Sequence, residues 1–121
     1  LRYDSPVQMT TRLAFEDLEI AGTPIRRGTE VVFVLGSANR DPRAFDAPDR
    51  LDIRRPVGRI MSFGMGIHFC LGAPLARLEG EIAFRTLARE LPDLRLATGQ
   101  PRWRPGLILR GLHDLPVIAA A

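Results

Sequence analysis

A single cysteine stands among the 121 residues, at a place where chemistry favours its ionised form. The segment Phe63-Gly64-Met65-Gly66-Ile67-His68-Phe69-Cys70-Leu71-Gly72 reads as a glycine-punctuated loop that delivers Cys70 to the start of the strongest helical pattern in the chain. Unpaired N–H groups and the positive end of a helix dipole favour an anion there, so the sulfur is expected as a thiolate. Gly64, Gly66 and Gly72 let the backbone turn tightly and let a flat partner come close, because no Cβ intervenes. His68 lies two residues before Cys70, so in an extended loop both side chains point to similar sides and can serve one ligand. Three chemistries fit these residues. An inert cysteine packs as a small hydrophobe. A cysteine nucleophile would need His68 as its base, which a spacing of two in an extended loop disfavours. A single thiolate ligand to a heme iron would use the lone cysteine, the glycine loop and nearby cations for the propionates.

The elements that must position this loop can be read from periodicity. Leu71, Leu75, Leu78, Ile82, Leu87 and Leu91 recur at helical spacing, with Glu81, Arg85 and Arg89 four apart on a polar side. The spacing predicts one amphipathic helix over roughly Gly72 to Glu90, with Pro74 near its first turn and a stop before Pro92. Upstream, Ala21-Gly22 between short alternating stretches predicts a β-hairpin over Leu18 to Ile25. The run Thr29 to Leu35, rich in β-branched and aromatic residues, predicts a buried strand. Residues 36–61 carry Asp41-Pro42, Ala47-Pro48 and Arg55-Pro56 and read as a long ordered meander, anchored by Phe45, Leu51 and Ile53. Leu1 to Thr11 reads as an extended segment. Leu94, Leu96, Leu107 to Leu109 and Val117-Ile118 read as short strands.

Composition narrows the classes. A chain of this length is expected to hold at most one domain. With 45% hydrophobic and 26% charged residues it can pack a core and is not a disordered polymer. The 17 basic residues are all arginine against 14 acids, and the longest arginine runs are the pairs Arg26-Arg27 and Arg54-Arg55. Without a basic stripe, nucleic acid is not expected as a partner. No apolar run approaches the roughly 18 residues of a membrane span. One cysteine fits a reducing, cytoplasmic setting and leaves no internal disulfide. Leu1 stands first in place of methionine, and the opening residues lack the build of a signal peptide, so the sequence reads as a portion of a longer chain.

The pattern FxxGxHxCxG, followed by Ala73-Pro74-Leu75-Ala76-Arg77-Leu78-Glu79, resembles the heme-thiolate loop of bacterial cytochromes P450. The resemblance runs along the chain. Arg2-Tyr3 with Pro6-Val7 is similar to the end of the family's ExxR helix and the segment after it. Asn39-Arg40-Asp41-Pro42 and Pro48-Asp49-Arg50 resemble its meander signatures, and Arg110-Gly111-Leu112 with Leu115-Pro116-Val117 its last strands. The implied fold is α+β, the carboxy-terminal part of the cytochrome P450 fold, with a long proximal helix, small β-sheets, a meander and a cysteine loop. Residues 1–121 would then be an incomplete domain. The resemblance implies that Cys70 ligates the iron of heme b (iron protoporphyrin IX), with Phe63 shielding the sulfur and the N–H groups after Cys70 bonded to it. Gly64 and Gly72 would belong to the same cofactor loop, and Arg12 and His68 would bind the propionates. Val7, Met9, Ile108 and Leu109 match positions lining the substrate pocket. Arg2 and Arg50 match a buried charge network whose glutamate would lie three residues before Arg2, ahead of this sequence. The implied parent activity is insertion of one oxygen atom from dioxygen into a small organic substrate, with electrons from a ferredoxin-type donor. Arg59 and Arg77 are candidate docking charges for it. A truncated, non-catalytic product that at most binds heme is the competing expectation.

Overall fold

Residues 10–33 alternate apolar and polar side chains between the turn formers Ala21-Gly22 and Arg27-Gly28. In the computed structural model, which describes residues 1–56 and 58–119, they form two antiparallel ribbons. Strand β1 (Thr10–Leu13) pairs with β4 (Glu30–Phe33), Thr10 opposite Phe33 and Leu13 opposite Glu30. Strand β2 (Leu18–Ile20) pairs with β3 (Thr23–Ile25), which is the expected hairpin. Its two turn residues have φ of 49° at Ala21 and 81° at Gly22. Positive φ at both centres gives the turn whose twist matches the flanking strands, easily adopted by glycine and costly for alanine.

The chain packs as two compact units, residues 1–62 with 106–110, and residues 63–105 with Gly111 onward. In the first, the segment 106–110 lies along the extended residues 6–8. The Gln8 N–H donates to the Ile108 carbonyl and the Arg110 N–H to the Pro6 carbonyl, both at 2.8 Å, around a Val7–Leu109 bridge. Helix α1 (Leu35–Ala38) follows β4 and ends at Asn39, which is fully buried. The Asn39 amide donates to Ser62 Oγ at 3.0 Å and accepts the Met61 N–H at 2.7 Å, while its carbonyl accepts Arg2 Nη1 at 2.7 Å. Ser62 Oγ in turn donates to the Leu1 carbonyl at 3.0 Å. Arg40 lies over the Tyr3 ring at 4.6 Å and donates to the Tyr3 carbonyl. A buried polar hub thus ties both ends of the meander to the first residues of the chain.

Two expectations about this unit are corrected. The run Thr29 to Leu35 is not one buried strand. The strand stops at Phe33, Leu35 opens α1 and is 6% exposed, and Val32, Phe33 and Val34 are about half exposed. Strand propensity is satisfied by one ladder partner, but burial needs a second layer over the face. The meander is ordered, yet Leu51 and Ile53 do not anchor it, since both are well exposed. Phe45 is half-buried beneath the Arg2 guanidinium, and hydrogen bonds hold the rest.

In the second unit, helix α2 (Ala73–Glu90) starts one residue after the expected position. Pro74 sits in its first turn, where a missing N–H costs nothing. Glu81 and Arg85 pair at 2.7 Å one turn apart, worth about 0.3–0.5 kcal/mol. Leu75, Leu78 and Ile82 form the expected stripe but remain more than half exposed. Beyond the helix, β5 (Arg95–Leu96) pairs with β6 (Val117–Ile118), and Trp103 bridges Leu112. Back in the first unit, Leu107 and Ile108 are irregular, and only Leu109 of that expected strand forms a bridge, to Val7. One long helix with small sheets gives the expected α+β class. Among the described residues no helix is long and apolar enough to cross a membrane.

Candidate functional site around Cys70

The loop that carries Cys70 is closed by its own backbone. The Cys70 N–H donates to the Phe63 carbonyl at 2.9 Å, so the segment returns on itself just before α2. Two glycines make the return possible. Gly64 and Gly66 have φ of 70° and 63°, the left-handed region that a side chain disfavours. A Cβ on Gly64 would also lie 3.3 Å from the His68 carbonyl oxygen. Between them and Cys70, Gly66–His68 forms a 3-10 turn in which the Phe69 N–H donates to the Gly66 carbonyl at 3.0 Å. This corrects the extended geometry assumed for His68, since the extended residue is Met65 and His68 lies within the turn that follows it. A tight turn uses fewer residues than an extended span to reverse the chain, and Gly66 supplies the conformation that starts it.

The Ala73 N–H donates to the Cys70 carbonyl at 3.2 Å, so this amide serves the cysteine backbone and not its sulfur. A Cβ on Gly72 would sit 3.8 Å from Sγ, so Gly72 borders the sulfur without crowding it. Cys70 is exposed, which disagrees with an inert packed cysteine. Close to it in sequence, Ile67 and Leu71 are each 98% exposed and Phe69 is about half exposed, so the loop presents apolar side chains outward. The Phe63 ring meets Phe69 edge-on at 6.3 Å, and the Arg77 guanidinium from α2 lies 5.3 Å from its centroid. Among the described residues no three His, Cys, Asp or Glu side chains gather. The donor available is therefore one exposed thiol, which fits ligation of a metal by a single thiolate.

The remaining sequence-derived candidates lie in the first unit. Arg12 on β1 donates through Nη1 to Thr10 Oγ1 at 3.1 Å and to the Thr11 carbonyl at 2.7 Å. It borders a cavity of about 280 Å³ with Leu13, Phe15, Leu18, Ile20 and Phe33. The structure brings Val7, Ile108 and Leu109 together through the 6–8 and 106–110 pairing, with Met9 half-buried on the same extended segment. Arg2 bonds the Asn39 and Pro48 carbonyls, whereas Arg50, expected with it in a buried network, is exposed and is held in the turn after Pro48 through its N–H to the Ala47 carbonyl at 3.0 Å. The hub role of Asn39 and the Arg77–Phe63 contact escape sequence reading. An isolated polar residue has no period, although Asn39 falls within a meander signature.

An α+β protein with a long helix leading away from a closed cysteine loop is the class that fold and loop define. The family model for cytochrome P450 matches residues 1–91, and the chain belongs to the cytochrome P450 family. It is 52% identical over 120 residues to the polyketide biosynthesis cytochrome P450 PksS of Bacillus subtilis, covering 97% of this chain and 30% of that protein. It is 47% identical over 119 residues to 6-deoxyerythronolide B hydroxylase of Saccharopolyspora erythraea, again covering 97% of this chain and 30% of the relative. Among solved structures, P450BioI in complex with a hexadec-9Z-enoic acid ligated acyl carrier protein matches with a TM-score of 0.95 at 50% identity, over 98% of this chain and 31% of that one. The chain spans about 30% of the length of the curated relatives it matches.

Proposed function

We propose that the chain supplies the heme-thiolate portion of a cytochrome P450 monooxygenase, with Cys70 as the protein ligand to the iron of heme b. The observation that carries this reading is an exposed thiol at the end of a self-closed glycine loop. When bound, the heme supplies the activation of dioxygen, with electron donation from a thiolate favouring O–O cleavage. The chain's own residues do the rest. Gly64 and Gly66 hold the loop so that Cys70 presents its sulfur, Phe63 shields that sulfur, and Gly72 leaves its approach open. Arg12 and His68 hold the propionates by charge-assisted hydrogen bonds, and Arg12 keeps Nε and Nη2 for that task. Val7, Met9, Ile108 and Leu109 line the pocket for a small organic substrate. Arg2 belongs to a structural charge network. Residues 1–121 act as the carboxy-terminal part of one larger domain, in the cytoplasm, served by a ferredoxin-type electron donor.

A second reading, a product that binds heme at most, is favoured by one observation. The chain spans about 30% of its relatives and leaves Leu75, Leu78 and Ile82 more than half exposed. By itself the chain is therefore expected not to hydroxylate. The test reconstitutes the chain with heme and records the ferrous carbonyl spectrum of wild type and Cys70→Ser. A thiolate signature present in the first and lost in the second supports the ligand assignment, and a signature that survives the substitution overturns it. Product formation above a free-heme control, abolished in Cys70→Ala, would show the chain to be catalytically self-sufficient.

A further inference from the structure

We infer that Arg77 is a positioning residue for the Cys70 loop, acting through the ring of Phe63. Its consequence for a ligated sulfur rests on the function proposed above; the contact itself does not. Arg77 sits in the first turns of α2 with its guanidinium 5.3 Å from the Phe63 centroid. Among the described residues it has no ion pair, because Glu81, one turn further along, is taken by Arg85 at 2.7 Å. A cation over an aromatic face is held by the ring quadrupole, and a planar guanidinium also stacks on it. Phe63 is the residue whose carbonyl accepts the Cys70 N–H at 2.9 Å. Its ring is held from a second side by Phe69, edge-on at 6.3 Å and 61°. The loop therefore has two closures, a backbone one at Phe63–Cys70 and a side-chain one that fastens Phe63 to the helix. The second reaches across fourteen positions of sequence and holds the ring on one side while Phe69 meets it on another. A solvated docking charge would not need the ring contact.

The test needs no heme, so its failure is separable from failure of the ligand assignment. Amide hydrogen exchange is measured by NMR on the whole chain at Cys70 and, as reference, at Ala97, whose N–H donates to the Pro116 carbonyl at 2.9 Å. Arg77→Ala is expected to speed exchange at Cys70 about two- to fivefold, the range of one exposed cation–π contact, and to leave Ala97 unchanged. Arg77→Lys keeps a cation on a flexible stem and falls between wild type and Ala. Arg77→Met keeps a helix-compatible apolar stem and matches Ala. Arg59→Ala, which removes an equal charge elsewhere, leaves Cys70 unchanged. Unaltered exchange at Cys70 in Arg77→Ala overturns the inference, as does an equal effect of Arg59→Ala, equal behaviour of the Lys and Met variants, or a parallel change at Ala97.

Discussion

Replacing Asn39 with alanine removes the amide that holds Met61 and Ser62, and leaves the backbone carbonyl that Arg2 bonds. Asn39 is fully buried, and its side chain donates to Ser62 Oγ at 3.0 Å and accepts the Met61 N–H at 2.7 Å. Each lost hydrogen bond costs about 0.5–1.5 kcal/mol, and a donor left buried without a partner raises the cost to about 1–3 kcal/mol. For two bonds, one of which strands a backbone N–H, the expected loss is about 2–4 kcal/mol, a large part of the roughly 5–15 kcal/mol available to a small protein. Ser62→Ala removes the acceptor of one Asn39 bond and the donor to the Leu1 carbonyl, and should cost less, about 1–2 kcal/mol. Because the two residues share a bond, the double variant should fall short of additivity by about 0.5 kcal/mol or more. Ile53→Ala, at a side chain 92% exposed, serves as the control and should stay within about 0.5 kcal/mol of wild type. Urea unfolding followed by circular dichroism gives all four values. If Asn39→Ala unfolds within about 0.5 kcal/mol of wild type, or adds fully to Ser62→Ala, the hub is not a cooperative unit and the reasoning is wrong.

Gly64→Ala should destabilise the loop by about 1–2 kcal/mol, from left-handed backbone alone, since Gly64 holds φ of 70°; thermal unfolding of the variant checks it. Arg12→Ala and His68→Ala should each weaken heme retention by about 1.5–3 kcal/mol, the worth of one hydrogen bond to a charged group, and transfer of heme to an acceptor protein measures the loss. The Arg43 side chain, bonded to Asp41 at 2.7 Å, and the Arg43 N–H hold the Asp41 carboxyl at about 2, below the ordinary 3.8. The stabilisation from this pair is complete above about pH 4 and disappears as pH falls through about 2; acid titration of Asp41→Asn should lack that component.

The parts of the molecule legible in the sequence are those that depend on neighbours in the chain. Ala21-Gly22 announces its hairpin because a two-residue turn is a local event, and the stripe from Leu75 to Leu91 announces α2 because its period is intrinsic. The cysteine loop is legible for the same reason, since its glycines and the helix after it lie within a dozen residues. Burial is not local. Val32 and Phe33 have the composition of a core strand, and what covers them is decided elsewhere. Ile53 is apolar and almost fully exposed, while Asn39 is polar and fully buried, because its partners Ser62 and Arg2 lie 23 and 37 residues away. The 3-10 turn at Gly66–His68 depends on φ at one glycine, which residue type permits without dictating.

The hub at Asn39 also bears on the order in which the chain assembles. The Asn39–Met61 contact closes a loop of 22 residues, and the Ser62–Leu1 contact one of 61. With closure entropy growing as the logarithm of length, the longer loop costs about 0.9 kcal/mol more to close first. Once the meander has returned to Asn39, Ser62 is already in place and the amino-terminal residues have a prepared surface to join. Assembly is therefore cheapest from the meander outward, an order that substitutions would register as a larger effect of Asn39 than of Arg2 on the folding rate relative to their effects on stability.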